Sequence, residues 1–211
     1  PERQPMTTMP IRVILTDLDG VIRDWSGQRD DDIERDTGLP EGAIKEAAFD
    51  PELLIRVITG RISDEAWRRQ TVDRLRERYP DADAARAVAA WSEPAGEVDR
   101  EVLELLQRCR ERVPLVLVTN ATSRLDRDLS VLGIAAAFDH IVNSSVVGAA
   151  KPDRAIFEHA LDRVGADPAE ALYVDDTERY HGPAAELGIV THHFRGVDGL
   201  RAELDRHGLL P

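Results

Sequence analysis

The sequence predicts an α/β fold: a parallel sheet of about five strands with helices on both faces, interrupted by an all-helical insertion. Three observations carry this expectation. Short continuous runs of Val, Ile and Leu end abruptly in polar residues, as strands buried on both faces do. Helical patterns separate the later runs, and one long charged stretch contains no strand run at all.

The first run, residues 11–15 (I-R-V-I-L), ends at Thr16, Asp17, Leu18, Asp19 and Gly20. Residues 24–94 then read as Arg-rich and helical. Within them, the acidic string Asp30, Asp31, Asp32 suits a solvated helix start, and 40–48, 51–58 and 84–91 are helix candidates. Ser63, Asp64 and Glu65 open a further helix through Trp67, Val72 and Leu75 toward Tyr79, where Pro80 stops it. Residues 98–113 place Val98, Val102, Leu105, Leu106, Cys109 and Val113 on one stripe, which makes Cys109 a buried core thiol and not a nucleophile. Run 115–118 follows Pro114 and ends at Thr119 and Asn120; run 171–174, after a helix over 154–164, ends at Asp175 and Asp176. Residues 141–142 and 189–194 are weaker strands, the latter carrying His192 and His193, read as structural or exposed. The expected division is a loose leader over 1–10, an α/β core over 11–23 and 95–211, and a helical cap over 24–94.

Composition narrows the function classes. The 211 residues include 27 Lys plus Arg against 40 Asp plus Glu, a net charge of −13, which repels a polyphosphate backbone and argues against nucleic acid as a partner. A single cysteine excludes an internal disulfide framework and a Cys-based zinc site. No apolar run nears the roughly 18 residues of a membrane helix, and the leader lacks an apolar signal core, so no membrane partner and a cytoplasmic location are expected. Oligomeric state stays open. Only Lys45 and Lys151 are lysines and only Asn120 and Asn143 asparagines, which marks those four positions in a chain that otherwise uses arginine.

In an open parallel sheet, ligands bind outside the carboxyl ends of the strands. Asp17 with Asp19, Thr119 with Asn120, and Asp175 with Asp176 each follow a strand run directly, so they are expected to converge. Carboxylates gathered on one spot repel unless a cation sits among them, and an all-oxygen donor set favours a hard divalent ion, Mg²⁺. Taken singly, each pair also reads as loop formers and helix caps. Lys151, after a loop and before Pro152, suits a compact ammonium beside a carboxylate or phosphate, and Thr119 and Asn120 offer a hydroxyl and a backbone N–H to an anion.

The order D-L-D-G-V, V-T-N, K-P and V-D-D-T resembles the haloacid dehalogenase-like superfamily, specifically members with a helical cap inserted after the first motif, over almost the whole chain. The resemblance implies a Rossmann-like core and a Mg²⁺-dependent phosphatase acting on a small phosphorylated metabolite. Asp17 then matches the nucleophile that forms an aspartyl-phosphate, and Asp19 the general acid and base. Mg²⁺ matches Asp17, the Asp19 carbonyl and Asp176, with Asp175 close by; Thr119, Asn120 and Lys151 match the phosphate-binding groups. Asp19 favours a phosphatase over a 2-haloacid dehalogenase, because a halide leaving group needs no proton; a phosphomutase and a non-catalytic binding or regulatory relative stay open. Tyr180 stands where many relatives carry asparagine, followed by His181, Gly182 and Pro183, and this unsettles the loop around Asp176. Trp25, at the start of the cap linker, and Arg61, in the turn 60–63, are candidate substrate contacts, each with packing or solvation as its plainer reading.

Overall fold

The computed structural model describes residues 9–27 and 29–211. The loose leader expected over 1–10 therefore lies, for residues 1–8, outside the described residues. Along the chain, β1 (Val13–Thr16) and β2 (Arg23–Asp24) lead into five helices, α1 (Asp30–Thr37), α2 (Ala43–Ala48), α3 (Pro51–Ile58), α4 (Asp64–Arg78) and α5 (Ala84–Ser92). There follow β3 (Glu97–Val98), α6 (Arg100–Cys109), β4 (Leu115–Thr119), α7 (Leu125–Leu132), β5 (His140–Asn143), α8 (Ser144–Val147) and α9 (Arg154–Val164). Then come β6 (Ala171–Asp175), α10 (His181–Glu186), β7 (Val190–His193) and α11 (Val197–Arg206).

Five strands form one parallel sheet in the order β5-β4-β1-β6-β7. Period-two alternation divides its side chains between two cores. Ile14, Leu115, Leu117, Leu172 and Val174 face α6, α7 and α11, whereas Val13, Leu15, Val116, Val118 and Tyr173 face α9 and α10. This is the two-sided cover expected of continuous apolar strands. On α6, Val102, Leu105, Leu106 and Cys109 are buried in the first core, and burial pushes the Cys109 thiol up to about 11, so it stays protonated and inert.

The stretch between β2 and β3 builds its own apolar clusters, one around Ile44, Leu75 and Val88 and a second around Leu53, Val57 and Trp67. Helix α4 starts where the Ser63 hydroxyl accepts from the Ala66 N–H, and α3 where Asp50 accepts from Leu53 ahead of Pro51. Helix α2 begins three residues later than the pattern of 40–48 suggests. Glu34, buried on α1, accepts from the N–H groups of Gly42 (2.7 Å) and Ile44 (2.8 Å), so a distant carboxylate sets that start.

Two further differences from the sequence reading concern the ends of this segment. Arg23 pairs with Val98 and Asp24 with Glu97 in a two-residue antiparallel ribbon, too short to leave a periodic pattern. Val98 consequently lies in that ribbon, and α6 starts at Arg100 behind Asp99, whose side chain accepts from Val102. No helix among the described residues is long and apolar enough to cross a membrane.

Leu106 is fully buried against the sheet. Leu106→Ala is expected to lower unfolding stability by about 2–5 kcal/mol, read as a reduced midpoint in urea with an unchanged slope.

Candidate active site

Asp17, Asn120 and Asp176 directly follow or continue the carboxyl ends of β1, β4 and β6, and the pairing of β1 with both other strands brings those ends together. The geometry centres on Lys151. Its ammonium, fully buried, lies 2.9 Å from Asp17 Oδ1 and 2.6 Å from Asp175 Oδ2. Burial alone would lower the Lys151 pKa, but the two carboxylates outweigh it and leave it raised. Asp17 Oδ1 also accepts from the Leu18 N–H at 2.8 Å. Burial nonetheless dominates at Asp17: against the pull of Lys151, and with Asp175 and Asp19 adding repulsion, its carboxyl is pushed up to about 7.

Asp175 is saturated with donors. Oδ2 accepts from Lys151 and from the Tyr173 hydroxyl, and Oδ1 accepts from the Thr177 N–H at 2.7 Å. Asp176 by contrast is exposed, and its Oδ1 accepts from Thr177 Oγ1 at 3.1 Å. The backbone of the aspartate pair is fixed from behind: His181 Nε2 lies 3.0 Å from the Asp175 carbonyl and His193 Nε2 2.9 Å from that of Asp176. His193, read from the sequence as structural or exposed, thus contacts the backbone of the aspartate pair.

A carboxylate oxygen from each of Asp17, Asp175 and Asp176 falls within 4.8 Å of the others, a spacing that suits a shared cation. Gly20, with φ +77°, lies so close to Asp176 that a Cβ on it would come 2.1 Å from Oδ2. Only a glycine lets the loop after β1 close on that carboxylate. The donor set and the cradle therefore fit a hard divalent ion.

Thr119 and Asn120 act differently from each other. The buried Thr119 hydroxyl has no protein partner and lines a polar cavity of about 270 Å³ together with Asp17, Lys151 and Asp176. Asn120 turns its amide to the backbone of Lys151, accepting from the N–H at 2.7 Å and donating to the carbonyl at 2.9 Å. Its side chain thus holds the lysine loop in place. The other asparagine, Asn143, accepts from Ser145 and donates to the Thr122 carbonyl, tying the loops after β4 and β5.

Asp19 lies at the mouth. Arg23, itself buried, donates from Nε to Oδ1 (2.7 Å) and from a terminal nitrogen to Oδ2 (2.9 Å), and Trp25 Nε1 donates to Oδ1 at 2.6 Å. A carboxylate accepting at both oxygens is aimed by the start of the helical segment. Asp19 and Asn120 also line a second cavity, of about 380 Å³, whose other wall comes from α1, α2, α4 and α5. Here Lys45 pairs with Asp30 (2.7 Å), Arg68 with Asp64 (2.5 Å) and Arg124 with Asp128 (2.7 Å), so with Arg23 and Asp19 each cation has a carboxylate. Trp25 lines this cavity; Arg61 is exposed on the turn after α3 and lines neither.

Tyr180 continues the loop after Asp176 as a helical turn and enters the polar cavity, its ring 5.3 Å from the Lys151 ammonium. Two contributors escape motif reading. Tyr173 is one strand period before Asp175 and so shares its face, a signal that alternation alone could have flagged. Arg23 reaches Asp19 at a spacing of four residues across a turn, where no regular element predicts the contact.

A family description reading haloacid dehalogenase-like hydrolase matches residues 11–187. Mouse haloacid dehalogenase-like hydrolase domain-containing protein 3 is 37% identical over 105 residues, covering 46% of this chain and 42% of the relative. A glyceraldehyde 3-phosphate phosphatase of Methanocaldococcus jannaschii is 34% identical over 77 residues, 36% of this chain and 34% of the relative. The alignments thus span less than half the length of these curated relatives. Among solved structures, a family enzyme from Bacteroides thetaiotaomicron in complex with magnesium and inorganic phosphate superposes with a TM-score of 0.70 at 23% identity, over 86% of this chain and 93% of that one.

Because the folded chain holds the Asp17 proton up to about 7, well above an unfolded aspartate, it binds more protons than the unfolded chain between those limits, and stability falls as pH rises through that window. In metal-free buffer the melting temperature is expected to be higher near pH 6 than near pH 8, and Asp17→Asn to flatten the difference.

Proposed function

The chain belongs to the haloacid dehalogenase-like hydrolases, and on that premise we propose that it is a Mg²⁺-dependent phosphatase hydrolysing a small phosphomonoester through an aspartyl-phosphate on Asp17. The observation that carries this reading is the Lys151 ammonium bridging Asp17 and Asp175 beside the exposed Asp176 and the unpartnered Thr119 hydroxyl. The magnesium and phosphate bound by the Bacteroides enzyme and the name of the Methanocaldococcus relative support it.

In this mechanism Asp17, Asp176 and the Asp19 carbonyl would hold the ion, while Asp175, engaged by Lys151, Tyr173 and Thr177, fixes the frame around it. When bound there, a divalent ion would offset the repulsion between an anionic nucleophile and an anionic ester. Lys151 and the Thr119 hydroxyl bind phosphoryl oxygens and orient them for in-line attack. Asp17 attacks phosphorus, the ester P–O bond breaks, and Asp19 gives its proton to the departing alkoxide. Asp19 then takes a proton from water, whose oxygen attacks the phosphoryl group; the bond to Asp17 breaks and phosphate leaves. Three lone-pair sites of Asp19 accept from Arg23 and Trp25, which leaves one on Oδ2 to carry the proton, so those two side chains aim the acid. Helices α1–α5 act as a cap over the leaving group, tied to the core through Thr122 and Asp64 (2.8 Å).

Release of phosphate from p-nitrophenyl phosphate is expected to need Mg²⁺ and to fall to background in Asp17→Asn; undiminished release in that variant sinks the covalent route. Asp19→Asn is expected to cost about 10²–10⁴-fold on alkyl esters and less on the aryl ester, whose leaving oxygen needs little protonation.

A further inference from the structure

The cavity beyond Asp19 has an unusual wall. The chain has three tryptophans, and all three, Trp25, Trp67 and Trp91, line it. Phe49 completes the surface, its ring 6.3 Å from Trp67 and 5.9 Å from Trp91, yet it remains 46% exposed. An aromatic left this open in a concave site offers an apolar face to a ligand.

The charges of the same wall argue about what does. Each of its four cations is matched by a carboxylate, so a leaving group with a second phosphate or carboxylate would have to break a pair to be received. Two polar atoms are left over: Asp30 Oδ1 and Arg68 Nε are buried and have no partner. One accepts and the other donates, and both residues line this cavity, so a ligand edge bearing a donor or an acceptor would find a partner on its wall.

The joint between the two cavities fixes where that ligand sits. Asp19 and Asn120 line both, so an ester whose phosphoryl group lies beside Asp17 and Lys151 extends its alcohol past Asp19 into the aromatic space. At about 380 Å³ this space exceeds what a triose needs and lies within the range of sites that enclose ring-bearing ligands.

We infer that the alcohol released is uncharged and carries a flat nitrogen heterocycle, as in a nucleoside monophosphate, with the ring stacked in the Trp25, Phe49, Trp67 and Trp91 cavity. This rests on the phosphatase reading for the reaction but not for the ring site. The edge of a nucleobase supplies an N–H for Asp30 and an acceptor for Arg68, and its face supplies the stack. The acidic surface that repels a nucleic acid backbone does not oppose a single nucleotide whose phosphate is held at the lysine.

Two measurements on the Mg²⁺-loaded protein separate the claims. First, kcat/KM is compared for uridine and adenosine 5′-monophosphates and for ribose 5-phosphate, which keeps the sugar and phosphate and lacks the ring. At least one nucleotide is expected to exceed ribose 5-phosphate by about tenfold or more, and Phe49→Ala to bring the ratio toward one. Second, uridine and adenosine are titrated into Asp17→Asn while tryptophan fluorescence is recorded, since every tryptophan lines the cavity. A saturable change, weakened in Asp17→Asn combined with Phe49→Ala, is expected. Equal turnover of ribose 5-phosphate and the nucleotides, or no fluorescence change with either nucleoside, overturns the ring site while leaving the phosphatase reading intact. A saturable change with no phosphate released from any ester, p-nitrophenyl phosphate included, keeps the ring site and removes the phosphatase reading.

Discussion

A buried ammonium between two carboxylates is the constraint on which this site depends. Without Lys151, Asp17 and Asp175 would face each other inside the protein with neutral donors but no ammonium between them, and a stranded buried charge costs several kcal/mol. The surrounding fold is arranged to keep that lysine in register. Asn120 clamps its backbone from the end of β4, Tyr173 braces Asp175 from within β6, and Tyr180 covers the ammonium from the following turn. Even so, Asp17 stays raised to about 7, because one ammonium shared by two acids does not repay its burial. The remaining deficit is what a divalent ion would supply.

The sheet makes this concentration of charge possible. A strand buried on both faces has no room for polar side chains along its length, so they collect where it ends. The central position of β1, flanked by β4 and β6, sets three such ends side by side, and Gly20 lets the loop after β1 close against Asp176. The helical segment is inserted at this same edge. Its short ribbon of β2 and β3 places Arg23 and, just after it, Trp25 on Asp19, so Asp19 is held from the helical side and Asp17 from the sheet side.

That division also explains why the two cavities differ. The inner one is walled by loop termini, rich in charge and hydrogen-bond donors; the outer one is walled by amphipathic helices whose aromatic residues are shared between their own small cores and the opening. They meet at Asp19 and Asn120, which line both.

The chain by itself determined the sheet, its two-sided cover, most helix starts and the convergence of the polar clusters, because apolar runs, caps and strand-end aspartates are local patterns with local causes. It also marked Lys151 and Asn120 through their rarity. Tertiary structure alone decided what depends on contacts between distant residues: that Asn120 serves the lysine loop, that Glu34 starts α2, that Arg23 and Trp25 hold Asp19, and that three tryptophans spread over 66 positions face one space. Those arrangements follow from how the helical segment packs onto the sheet, and packing leaves no periodic mark in a sequence.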